Sequence, residues 1–258
     1  MTFSNKLSRR SMLLLAAAGA FASALPKSSL AKALSLSVTY YDDFAPDSYM
    51  RDGKVTGVLV DSLNEVFGRR LGVALTHHGL PWTRAQQDVK EGRADAFCTI
   101  PTDARKEYVN FSREQLLKSD RVIVFAKNNP KAGAIRKIKK PEDLKPFMIG
   151  TYLGDSKKND LFSGMNVDYA ADVSQVLAKI AAGRVDLTII GSLRWRYYAR
   201  TLSIRDKLED IWFSDAPGFY LGIRKDYADG VELLESFDKM VLVARKDGSL
   251  DRIIKTYS

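Results

Sequence analysis

Apolar side chains recur along this chain with two different periods, and these periods predict its elements. Residues 34–41 alternate apolar and polar side chains, which is typical of a strand. Within residues 58–71 the apolar positions follow helical spacing, and Gly72 comes next as a stop signal. A second strand over 73–77 and a helix over 82–92 continue the alternation. Strands that alternate with helices predict the α/β class.

The same order of elements returns after a polar break at residues 128–130. The sequence predicts a strand over 147–150 and a turn over 153–156. A helix then begins at a capping box in residues 172–175. Residues 185–190 are apolar and largely β-branched, which predicts a strand that is covered on both faces.

Four further segments complete the pattern. Residues 120–127 and 218–225 are predicted to be extended. Residues 231–245 have the spacing of a long amphipathic helix, and a last short helix is predicted to end at Tyr257. The second half of the chain therefore repeats the α/β pattern of the first.

Residues 1–33 have the character of an export signal and are left out of the fold argument. Basic side chains precede an apolar run over 12–25, which is short for a membrane span. Two adjacent arginines within residues 8–13 resemble a twin-arginine motif, and a general secretory signal is the alternative. Small residues favour cleavage after Ala31 or Ala33. Either export route predicts a periplasmic protein.

Removing the predicted signal changes the interpretation of the charge. The whole chain has a formal charge of +9, and five of its basic residues lie in the signal, which has no acidic residue. The charge without that segment is +4, spread among basic and acidic positions. A nucleic-acid partner is therefore not expected.

The chain offers few ligands for a metal and no redox pair. Cys98 is the one cysteine, and its apolar surroundings predict a small core residue. The two histidines, His77 and His78, are adjacent near the end of a predicted strand. Two ligands are too few for a structural metal site. We therefore predict no cofactor and no metal.

Residues 91–112 carry the most informative motif. They combine a helix end, a buried strand, a polar turn, Arg105 and a closing Phe-Ser pair. This order resembles the bacterial extracellular solute-binding proteins of family 3, and so does the ending over 247–257. The resemblance covers residues 34–258. It implies a two-lobe periplasmic-binding-protein-like fold of type II, with a hinge made of two crossing segments.

The resemblance also implies the division of the chain. The predicted export signal, residues 1–33, would precede both lobes. One lobe would comprise residues 34–121 together with 218–258, and the other would comprise residues 122–217. The two extended segments described above would be the crossings.

In this family a ligand lies between the lobes, and an arginine binds its carboxylate. Arg105 holds that place here, and a guanidinium suits the role because it stays charged and offers paired donors. The alternative for Arg105 is an exposed ion pair, which contributes little. The resemblance assigns further ligand contacts in the same lobe, with core packing as the alternative for the aromatic residues. These residues are Tyr41, Phe44, Trp82, Thr99 and Thr102.

The other lobe would contribute a turn and the end of a strand. Gly154, Asp155 and Ser156 stand where relatives carry an anion-binding turn, and Asp155 is either a helix cap or a partner for a cationic group. Where relatives place an aspartate for the ligand's ammonium group, this chain has Gly191, followed by Ser192. We hypothesise that the ligand is not held as an ordinary α-amino acid, or that Asp155 has taken over the ammonium.

A basic and aromatic helix is predicted over residues 192–200. Arg194 could reach the cleft and favour an acidic ligand. The interpretation preferred from the sequence is that Leu193 and Tyr197 pack while the arginines face water.

The resemblance implies a monomeric receptor that binds a small carboxylate-bearing solute, an amino acid or a related organic acid, and presents it to an inner-membrane permease of the ABC type. One alternative is an exported dehydratase of the cyclohexadienyl or arogenate type, which would need a general acid such as Asp42, Asp43 or Asp155. Another alternative is a ligand sensor for a membrane receptor.

Overall fold

A computed structural model describes residues 34–152 and 161–258. Within these residues, twelve strands and eight α-helices alternate in the manner expected of the α/β class. The strands are β1 (Ser35–Tyr41), β2 (Asp43–Phe44), β3 (Ser48–Arg51), β4 (Lys54–Thr56), β5 (Ala74–Leu80), β6 (Ala96–Thr99), β7 (Val109–Phe111), β8 (Leu117–Ala126), β9 (Met148–Tyr152), β10 (Asn166–Ala170), β11 (Leu187–Gly191) and β12 (Leu208–Arg224). The helices are α1 (Val58–Leu63), α2 (Trp82–Lys90), α3 (Asp103–Lys106), α4 (Ala132–Ile135), α5 (Val173–Ala181), α6 (Ser192–Thr201), α7 (Gly230–Lys246) and α8 (Ser249–Tyr257).

Nine strands form the main sheet, in the order β10-β9-β11-β8-β12-β6-β1-β5, with β7 beside β12. β1 is parallel to β5 and β6, and β9 is parallel to β10 and β11. Between these two parallel groups lie β8 and β12, which are antiparallel to each other. β12 pairs with β8 as far as Phe219 and with β6 from Tyr220 onward. This strand therefore passes from one parallel group to the other.

The crossing strands differ from their predicted bounds. The first was predicted over 120–127 and is β8, which begins three residues earlier, at Leu117. The second was predicted to begin at Gly218, but β12 already begins at Leu208. Its register shifts between Ala216 and Phe219, so the Ala-Pro-Gly sequence forms an irregularity within one strand. A bulge accommodates proline and glycine without ending the strand, which explains the difference.

Most other predicted elements are confirmed within a few residues. The helix predicted over 58–71 is α1 continued by a π-helical turn, Asn64–Arg70. The capping residue Asp172 accepts a hydrogen bond from the backbone N–H of Gln175 at 2.9 Å. Strand β11 is buried from Leu187 to Ile190, as expected of a strand with helices on both faces. The turn predicted over 153–156 lies outside the described residues.

The apolar core of the described residues consists of four clusters that divide at the crossing strands. The buried members of two clusters come from residues 36–117 and 221–257. The buried members of the other two come from residues 122–213. Each half of the sheet therefore has buried clusters of its own. No helix in the described residues has the length and hydropathy that a membrane span requires.

Candidate functional site

A cavity of about 350 Å³ opens where parallel strands of both groups end. Tyr41 ends β1 and Thr99 ends β6, while Tyr152 ends β9 and Gly191 ends β11, and all four line the cavity. Ligands of open α/β sheets commonly bind at the carboxyl ends of the strands, where side chains and loops converge. The volume suits a small solute, because ligand pockets are roughly 300–1,000 Å³.

Seven of the eleven residues predicted from the sequence line this cavity. They are Tyr41, Phe44, Trp82, Thr99, Arg105, Gly191 and Ser192. Thr102 is not among the lining residues. Its hydroxyl accepts a hydrogen bond from the backbone N–H of Arg105 at 3.4 Å and caps α3. Gly154, Asp155 and Ser156 lie outside the described residues.

Arg105 is held in a fixed orientation. Its Nε donates to Oε1 of Gln86 at 2.9 Å, and its Nη1 donates to the carbonyl oxygen of Ile100 at 2.7 Å. The guanidinium carbon lies 5.0 Å from the ring centroid of Trp82. Trp82 in turn packs against Phe97, with ring centroids 6.0 Å apart. The side chain is therefore ordered by two bonds and an aromatic face before any ligand arrives.

The charge of Arg105 has no carboxylate partner within the described part of the chain. Burial lowers the pKa of its guanidinium, and the nearby Tyr108 opposes that shift. An arginine remains charged at neutral pH despite such a shift, because its ordinary pKa lies so far above 7. A half-buried cation with neutral partners is suited to bind an anion, since the anion supplies the missing countercharge.

A second charged group lies beside the position where an aspartate was expected. Asp120 lines the cavity from β8, and the Ser192 hydroxyl donates a hydrogen bond to its Oδ1. The neighbouring Gly191 pairs with Arg121 in the β8–β11 ladder. A Cβ on Gly191 would lie 3.8 Å from the carbonyl oxygen of Asp120. The crossing strand thus supplies a carboxylate next to the glycine.

Arg194 is buried, which corrects the interpretation preferred from the sequence. Only 9% of this residue is exposed, whereas Arg196 and Arg200 on the same helix are exposed. Its Nη2 donates to Oδ2 of Asp47 at 3.3 Å. Arg194 and Arg196 are about half a turn of α6 apart, so they point to nearly opposite faces of the helix. The spacing alone does not say which of these faces turns inward.

Known proteins resemble this chain over most of its length. The profile of the bacterial extracellular solute-binding proteins, family 3, matches residues 36–258. The chain belongs to this family. It is 26% identical over 223 residues to the lysine/arginine/ornithine-binding periplasmic protein of Escherichia coli (strain K12), with 80% of each chain covered.

Solved structures share the fold of this family 3 protein. An ancestral cationic amino acid solute-binding protein superposes with a TM-score of 0.67 at 22% identity, over 86% of this chain and 95% of that one. An ancestral arginine-binding protein bound to arginine has a TM-score of 0.61 and 23% identity, with 86% of this chain and 97% of that chain covered. A histidine kinase sensor domain with similarity to periplasmic binding proteins has a TM-score of 0.62 and 16% identity, with 86% of this chain and 95% of that chain covered. The fold is therefore the type II fold of periplasmic binding proteins.

Two buried or half-buried carboxylates of this family 3 protein were missed from the sequence. Asp47 and Asp120 line the cavity, but neither belongs to a recognisable motif. The available signal for Asp120 was its place at the start of an extended segment, where β8 meets the cavity. Burial raises the pKa of the Asp47 carboxyl, and Arg194 offsets part of that rise.

The charges that line the cavity favour an anionic ligand overall. Among the described residues, the lining includes four cationic side chains and two carboxylates. The cations are Lys118 and Arg121 in addition to the two arginines already described. Since Arg194 is paired with Asp47, an excess of positive charge remains around Arg105 and Asp120.

Proposed function

We propose that this protein captures a small carboxylate-bearing solute in the cavity and delivers it to an ABC-type importer of the inner membrane. The observation that carries the proposal is Arg105, which is ordered by Gln86, Ile100 and Trp82. Its unpaired charge faces a cavity of suitable size. A carboxylate would complete the ion pair with charge-assisted hydrogen bonds.

Asp120 extends the proposal to the ammonium group of an amino acid. A ligand ammonium group would find two acceptors in Asp120 and Ser192, which already contact each other. Charged acceptors are needed because a desolvated ammonium without a carboxylate partner is costly. We therefore favour an α-amino acid over a simple organic acid, with Asp120 in the role that Gly191 cannot fill.

We propose that ligand binding closes two lobes, residues 34–121 with 218–258 and residues 122–217. The separate apolar clusters on either side of β8 and β12 support this division. Two crossing strands provide a short connection at which a hinge can bend. The proposal includes a periplasmic, monomeric protein from which residues 1–33 are removed on export.

Three of the candidate carboxylates are poorly placed for dehydration chemistry. Asp42 and Asp43, two of the general acids considered from the sequence, are not among the described residues that line it. Asp47 does line it, but its carboxylate is paired with Arg194. A general acid must have a proton to give, and the ion pair with Arg194 favours the ionised form of Asp47.

A thermal-shift panel on the purified protein tests the proposal. The panel pairs each amino acid or organic acid with its carboxamide and includes prephenate. We expect at least one acid to raise the melting temperature by about 2–4 °C or more at saturating concentration, while its carboxamide does not. Equal stabilisation by acid and carboxamide would contradict a carboxylate site. Conversion of prephenate to product would show an enzyme instead.

A further inference from the structure

The charged end of Arg194 occupies a compartment of the cavity that is built for a cation. Its guanidinium carbon lies 3.6 Å from the ring centroid of Phe44, which is direct stacking distance. Its Nη2 forms the ion pair with Asp47, and its Nη1 donates to Oη of Tyr152 at 2.9 Å. An aromatic face, a carboxylate and a neutral acceptor are the contacts that a guanidinium or ammonium ligand requires.

The backbone that carries Asp47 is fixed in place. The N–H of Val58 donates to the carbonyl oxygen of Pro46, and the N–H of Leu59 donates to that of Asp47, both at 3.0 Å. Gly57 has φ of 130°, and a Cβ there would lie 2.5 Å from the Asp47 carbonyl oxygen. Only a glycine permits this close approach. Asp47 therefore lies on a fixed backbone, and its side chain is buried rather than exposed at the surface.

We propose that Arg194 is a built-in occupant of a cation subsite, so that the protein rejects free arginine and lysine. This inference rests on the proposed function, because it specifies which solutes that cavity admits. With the subsite filled by the chain itself, a cavity of about 350 Å³ remains for a solute, and Arg105 and Asp120 both line it. The excess positive charge there selects an amino acid with a neutral or anionic side chain. Arg194 is thus the specificity-determining residue.

Chemical rescue tests the subsite without any knowledge of the solute. The variant Arg194→Ala leaves Phe44, Asp47 and Tyr152 in place and empties the compartment. Methylguanidinium should then bind there and raise the melting temperature of this variant by about 2–4 °C at several times its dissociation constant. The wild-type protein and the control variant Arg196→Ala, whose arginine is exposed on the same helix, should not respond.

Three outcomes would overturn the inference. One is a folded Arg194→Ala protein that responds to methylguanidinium no more than Arg196→Ala does. If Arg194→Ala does not fold alone, methylguanidinium should restore its folding, whereas methylurea, which is neutral, should not. If neither compound restores folding, that result counts against the subsite.

The third overturning outcome is wild-type protein that binds L-arginine or L-lysine as tightly as any neutral or acidic amino acid. If no solute of the panel stabilised the protein, the proposed function would be contradicted, while the rescue of Arg194→Ala by methylguanidinium could still be observed. Failure of the proposed function and failure of the subsite are therefore distinguishable. A gain of L-arginine binding by Arg194→Ala, by tenfold or more over wild type, would support both claims together.

Discussion

At the scale of single residues, the site depends on charges whose partners come from distant parts of the chain. Asp120 precedes Ser192 by 72 positions, and Asp47 precedes Arg194 by 147. Arg105 was predictable because it lies in a local motif with a recognisable order. The two carboxylates and the burial of Arg194 were not, because such contacts arise from folding of the whole chain rather than from local spacing.

The role proposed for Asp120 leads to a prediction about ligand selectivity. The variant Asp120→Asn should lose affinity for α-amino acids by about 10–150-fold, since a hydrogen bond to a charged group contributes roughly 1.5–3 kcal/mol. The same variant should bind the des-amino analogue as wild type does. Isothermal titration calorimetry with both ligands measures the difference.

The control for this experiment is Asp103→Asn, because Asp103 is a fully exposed acid that pairs with Lys106 on α3. Its ligand affinities should remain close to those of wild type. Equal loss of affinity for the amino acid and its des-amino analogue in Asp120→Asn would show that Asp120 does not hold the ammonium.

At the scale of elements, the pattern of apolar residues was sufficient both for a helix with one buried face and for a strand buried on both faces. Helix α5 and strand β11 follow the predicted pattern closely. The pattern failed at β12, where Pro217 and Gly218 suggested a break. Pairing with β8 overrides that local signal, because a long antiparallel partner continues the ladder on both sides of the bulge.

The junction between α7 and α8 gives an element-scale prediction about pH. Asp247 accepts hydrogen bonds from the backbone N–H and the hydroxyl of Ser249, and it forms an ion pair with Arg70 at 2.8 Å. The contacts from Ser249, followed by Arg70, lower the pKa of Asp247 from 3.8 to about 2. Asp247 therefore stabilises the fold above its ordinary pKa, and this contribution is lost as pH falls toward about 2.

Thermal unfolding of Asp247→Asn as a function of pH tests whether the ionised Asp247 stabilises the fold. The variant should melt below wild type at pH 7, and the gap between the two should shrink as the pH is lowered from about 4 toward about 2. Asp206→Asn, which alters an exposed acid, provides the matched control. A gap that stays constant or widens toward low pH would contradict the stabilising role of the ionised carboxylate.

At the scale of the whole molecule, contacts already join the two proposed lobes. The Arg194–Asp47 ion pair is one, and the Tyr197 and Tyr49 rings, 6.0 Å apart, form another. The family resemblance predicted a cleft bounded by both halves of the chain, and the sheet topology places the cavity at their junction. Which solute fits there depends on side chains from both halves, so the sequence pattern alone could not name it.

The most direct test of the central claim is the affinity of Arg105→Met for the best carboxylate ligand of the panel, measured by isothermal titration calorimetry. Arg84→Met is the control, because Arg84 is 56% exposed and pairs with Asp88 on α2. We expect Arg105→Met to lose about 2–5 kcal/mol of binding free energy, which is at least about 30-fold in affinity. The affinity of the control variant should change by less than about fivefold, which is the effect expected of a surface ion pair. An Arg105→Met protein that binds as tightly as the control would contradict the account.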